Sequence, residues 1–132
     1  MKRSLPLILA ALLSSASLVN AATPESACAS LAEARTQLVG MIAETDADKL
    51  EDFKAKVHAA SDKLDADLSA MAAGPDADKV AAFQPVWEAF KNTRETEIIP
   101  AVYAGKNADA KAIATGVQAE RMNQMKAAMG CQ

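Results

Sequence analysis

The sequence has 132 residues, half of them hydrophobic, and a formal charge of −3. One chain of this size supports a single core, and its acidic balance argues against a nucleic-acid-binding protein, which needs a basic face. Aromatic residues make up only 4%. Val, Ile and Thr are too sparse for a sheet, while the abundant alanine is the best helix former. The expected class is all-α.

Lys2 and Arg3 open the chain, an apolar run covers residues 5–19, and Val19-Asn20-Ala21 supplies small residues at a cleavage site. This is the order of a secretory signal peptide. Residues 1–21 are therefore expected to be removed, by a cut after Ala21 or Ala22, leaving residues 22–132 as one domain. Pro6 and serines 14, 15 and 17 interrupt the run, which argues against a retained anchor. No second apolar stretch follows, so no stable membrane insertion is expected after cleavage. Periplasmic export is the predicted destination.

Thr23-Pro24-Glu25 opens the first helix, with Thr as N-cap, Pro at the first helical position and Glu in the first turn. Cys28, Leu31, Arg35, Leu38 and Ile42 recur at steps of three or four and predict its inner face, ending near Glu44 or Thr45. Asp46-Ala47-Asp48-Lys49 starts a second helix with Leu50, Phe53, Val57, Ala60, Leu64, Leu68 and Met71 inward. Gly74-Pro75 stops it, with a left-handed cap expected at the glycine. The third helix repeats that opening as Asp76-Ala77-Asp78-Lys79-Val80, which reads as two good helix starts rather than a true repeat. Its inner face runs through Trp87, Phe90, Arg94, Ile98 and Ala101, with bends expected at Pro85 and Pro100. After the turn at Ala104-Gly105-Lys106, Asn107 is expected to cap a fourth helix. Its inward residues are Ala110, Ile113, Ala114, Val117, Arg121, Met125 and Ala128. Four amphipathic helices with short connections predict an up-down-up-down antiparallel four-helix bundle.

Trp87 and Phe90, then Thr93-Arg94-Glu95, Glu97-Ile98-Ile99-Pro100-Ala101, Ala104-Gly105, Ala110-Lys111, Ile113-Ala114, Gly116-Val117-Gln118 and Glu120-Arg121-Met122 follow one another between residues 80 and 125. In order and spacing this segment resembles the periplasmic four-helix-bundle sensor domain of methyl-accepting chemotaxis proteins. The first two helices match only in general pattern. The resemblance implies a non-catalytic sensor or binding module, with a small molecule, a membrane receptor or a second copy as partner. Those receptors carry the bundle between two membrane helices. Here a cleavable signal peptide takes the first one's place and the chain ends at Cys131-Gln132, as expected of a sensor bundle detached from its receptor.

In such a bundle the start of helix one meets the end of helix four, so Cys28 and Cys131 are expected to form a disulfide in an oxidising compartment. Neither has a neighbouring cysteine for redox catalysis. Arg35, Arg94 and Arg121 fall on apolar faces, with Arg35 and Arg121 at similar heights. Guanidinium is seldom buried without a partner. One reading is an organic anion held bidentately between helices, with Trp87 and Phe90 as the apolar wall. The other is internal pairing with Glu33, Glu95 or Glu120, or snorkelling. His58, the sole histidine, lies off helix two's apolar stripe, and Met125 stands where a haem site would want a histidine. Met122, Met125 and Met129 beside Cys131 offer soft donors for copper but also suit core filling. A haem- or copper-binding carrier is therefore the alternative reading, and no cofactor or metal site is assigned. No nucleophile stands with a base, so no catalytic residues and no enzyme are expected.

Overall fold

The computed structural model describes residues 22–132; the expected signal peptide lies outside them. The described chain is all-helical. It comprises α1 (Pro24–Ala43), α2 (Ala47–Met71), α3 (Ala77–Thr93), a π-helical turn (Arg94–Ile98), α4 (Ile99–Tyr103), α5 (Asn107–Thr115) and α6 (Val117–Met129). Together these make four helical rods, with α3, the π turn and α4 forming the third and α5 with α6 the fourth. Among the described residues no helix is long and apolar enough to cross a membrane.

Local chemistry sets most of the ends. The Thr23 hydroxyl accepts from the Ser26 backbone and the Ser26 hydroxyl accepts from the Thr23 backbone, a reciprocal box ahead of Pro24. Asp46 caps α2 by accepting from the Asp48 N–H at 3.0 Å. Gly74 does not take the expected left-handed conformation; only Gly105 and Gly130 do. Each of those two closes the end of a rod, with the following residue's N–H returning to a carbonyl five residues back at 2.8 Å. Asn107 is the first residue of α5 rather than its cap. Its amide instead donates to the Ile42 and Glu44 carbonyls, closing the end of α1.

Both prolines of the third rod are accommodated without a break. α3 runs through Pro85, while Pro100 follows the π turn. Pro100 has no N–H for the Thr96 carbonyl, and its ring would collide with it in a regular helix. Widening the preceding turn relieves that clash, and the Thr96 hydroxyl donates to the Asn92 carbonyl at 2.8 Å.

The fourth rod is not one continuous helix. It breaks at Gly116, where a Cβ would come within 3.0 Å of the Ala112 carbonyl oxygen. The break shifts the buried face by one residue, so Gln118, Met122, Met125 and Met129 face inward. Val117, expected inside, is 44% exposed.

The core gathers Leu31, Leu38 and Met41 of α1, Leu50, Val57, Leu64 and Leu68 of α2, Phe83, Trp87 and Phe90 of α3, and the α6 methionines. Packing is uneven around it. α1 lies chiefly on α2 and α3 chiefly on α6, whereas α1 meets α5 and α6 only sparsely. That seam stays partly open, clasped at one end by the Cys28–Cys131 disulfide, with Cα atoms 5.7 Å apart.

Candidate functional site

The three singled-out arginines part company. Arg94 is 3% exposed. Its Nε and Nη2 donate to Glu95 Oε1 at 3.1 and 2.9 Å, and its Nη1 donates to the Ser61 hydroxyl at 2.7 Å. The cation also faces the Trp87 ring, 5.9 Å from its centre. Arg121 is half-buried and donates to the Thr93 hydroxyl at 2.7 Å and the Gln118 amide oxygen at 3.0 Å. Gln118 in turn donates to the Phe90 carbonyl.

Trp87 and Phe90 stack with ring centres 5.7 Å apart. Neither opens on a cavity, since they are 0% and 3% exposed. The expected pocket wall is thus closed core; Arg94 pairs with Glu95, one of the expected internal partners, whereas Arg121 is held by Thr93 and Gln118 and by no glutamate. Among the described residues no buried side-chain nitrogen or oxygen lacks a hydrogen-bond partner.

Around this core runs a polar belt absent from the sequence reading. Trp87 Nε1–H donates to Asp65 at 2.7 Å, and Lys91 donates to the same carboxylate at 3.0 Å. Burial works against the Lys91 ammonium, but Asp65 and Glu88 outweigh it and hold its pKa above the usual lysine value. His58 Nε2 lies 2.7 Å from Glu95. Burial alone would raise the Glu95 carboxyl; His58 and Arg94 outweigh that and bring it below the ordinary carboxylate value.

A depressed carboxylate stabilises the fold fully above its unfolded pKa and loses that contribution as pH falls through the folded value. Acid titration of Glu95→Gln should therefore show a flatter stability loss below pH about 4.5 than the parent chain. Identical acid limbs in the two proteins would remove Glu95 from the network.

Arg35 corrects the sequence expectation. It is exposed, because α1 turns Ala27, Ala34 and Met41 to the core instead of the adjacent line through Cys28 and Arg35. Arg35 lines an open groove of about 850 Å³ between α1 and α6, beside the disulfide. Arg121 is not among the residues lining that groove. Leu31, Met122, Met129 and the Cys28–Cys131 bridge line it, with Arg35, Lys79 and Lys126 as cations and Glu25 as the one acidic side chain. Lys79 lies 3.7 Å from Asp76; among the described residues neither Arg35 nor Lys126 has an ion-pair partner.

The residues of the alternative carrier reading are engaged elsewhere. Cys131 is held in the disulfide, Met122, Met125 and Met129 are core, and His58 is bound to Glu95. Lys79 and Lys126 went unnoticed in the sequence because each sits on its own helix among ordinary surface charges. Only the packing of α1, α3 and α6 brings them to one groove with Arg35. Set against known protein families, characterised proteins and solved structures, the chain matches none of them.

Proposed function

We propose that this chain is an exported, non-catalytic binding module, an up-down-up-down four-helix bundle whose α1–α6 groove takes a small organic anion. The observation that carries the reading is the groove's charge. Arg35 and Lys126, neither in an ion pair among the described residues, line it with Lys79, which lies 3.7 Å from Asp76. Against them stands one acidic side chain, Glu25, in a chain whose net charge is −3. A groove of opposite sign to the whole molecule concentrates anions locally, and the free guanidinium of Arg35 suits a planar carboxylate. The disulfide supports export to an oxidising compartment. Because the cap of α1 begins at Thr23, a cut after Ala21 leaves every described helix whole. The likeness of residues 80–125 to chemoreceptor sensor bundles supports a sensory role, with a membrane receptor or second copy reading the occupied state.

Thermal melts of the chain from Ala22 onward, at low ionic strength, test this against organic carboxylates and matched amines. A carboxylate at 100 times its dissociation constant should stabilise by about 2.7 kcal/mol. Amines should give no shift, and Arg35→Gln should weaken the response, leaving only the lysines to attract the anion. A full panel of carboxylates without effect on the parent melt would refute the proposal.

A further inference from the structure

We infer that the groove's occupant is an amphiphile, a terminal carboxylate on a straight apolar chain, with its head at Arg35 and its tail passing Val39. The inference rests on the binding reading above and adds the chemical class of the ligand. Its basis is a second cleft of about 450 Å³ farther along the same seam, between the end of α1 and α5. Val39 lines both cavities, so the two adjoin at that residue.

Their chemistry differs. The first holds Arg35, Lys79 and Lys126; the second is walled by Val39, Ile42, Ala43, Ala108 and Ala114, with Lys111 its one charged residue. The Asn107 amide that borders the second cleft is already engaged by the Ile42 and Glu44 carbonyls. Its N–H groups are therefore not free to donate to a polar tail. Val39 is 54% exposed, unusual for a large apolar side chain among the described residues, of which only Tyr103 and Val117 are comparable. A methylene chain laid across it would remove that surface from water, whereas a compact acid such as acetate would leave it exposed.

Length follows from the helix. Seven residues separate Arg35 from Ile42, about 10 Å of helix rise, which a straight chain of roughly eight carbons spans. Each methylene buried along this path should tighten binding about three- to fourfold, and the gain should stop where the cleft meets Thr45 and Lys111.

Isothermal titration of the chain from Ala22 with straight-chain carboxylates of four to twelve carbons, below their micelle concentrations, tests this. Octyltrimethylammonium serves as the cationic control, and circular dichroism confirms that each variant is folded. Affinity should rise with length to roughly eight to ten carbons and then level off, on the 1.5 Å rise per residue that sets the path. Arg35→Gln should weaken every length by a similar factor. Val39→Ser, which places no charge one turn from Arg35, should flatten the gain with length. Carboxylates that bind equally at every length would overturn the amphiphile and leave the anion groove standing. Equal binding of the ammonium control would overturn the head-group assignment, and no binding by any carboxylate would overturn both readings.

Discussion

Replacing Trp87 with alanine should cost about 3–5 kcal/mol of stability, the range for deleting a fully buried large aromatic. The indole is 0% exposed, stacks on Phe90 and lies tilted against Phe83 at 6.4 Å. The polar belt is built on the same side chain. Its N–H is held by Asp65, and the Lys91 ammonium sits 5.3 Å from the ring centre. Losing the ring opens a cavity and removes the face over which Lys91 and Arg94 lie. Trp87→Phe separates these contributions. It keeps an aromatic core but deletes the N–H, leaving Asp65 to Lys91 alone, and should cost about 1–2 kcal/mol. Urea unfolding followed by far-ultraviolet circular dichroism measures both. A Trp87→Ala loss below about 1 kcal/mol would mean that the core is centred elsewhere.

Opening the Cys28–Cys131 disulfide should have an effect of similar size through the unfolded chain. The bridged residues are 103 apart in sequence. In the chain-entropy model, closing a loop of this order contributes about 4–5 kcal/mol. That is a large share of the roughly 5–15 kcal/mol that stabilises an ordinary domain. Cys28→Ser with Cys131→Ser should lower the melting temperature by on the order of 15–25 °C. The bridge also holds α1 to α6 along a seam where the two helices touch little. The double variant should therefore lose carboxylate binding at temperatures where it is still folded. A melt unchanged by reductant would show that the bond adds nothing to the folded protein.

The elements legible in the sequence were those set by neighbours a few residues apart. Thr23, Pro24 and Asp46 mark their helix starts, and Gly105 closes its turn, because capping is local chemistry. The inner face of α2 was legible because Leu, Val and Met alternate with charges along it. In α1 Leu31, Leu38 and Ile42 are buried as expected and Arg35 is not: alanines occupy both of its faces, so Ala27 and Ala34 compete with Cys28 and Arg35 for the core line. Only packing against α2 chooses between them.

In the fourth rod the error had a different cause. The phase before Gly116 does not carry through the break, so Val117 turns outward and Arg121 to the core's edge, while Gln118 and Met122 take the core positions. The π turn was hidden as well, since Pro100 announces a distortion but not its form. The groove was illegible for a related reason. Its cations come from three helices, and the most prominent of them, Arg35, had been placed in the core by a periodicity that alanine leaves ambiguous.

On the proposed function, the open α1–α6 groove, and not the side chains around Arg94 and Arg121, binds the carboxylate. The most direct measurement is a two-dimensional ¹H–¹⁵N titration of the chain from Ala22 with hexanoate. Amide shifts should concentrate in residues 28–39 and 122–131 and saturate together. Shifts confined to residues 87–95 and 118–121, or none at saturating hexanoate, would contradict it.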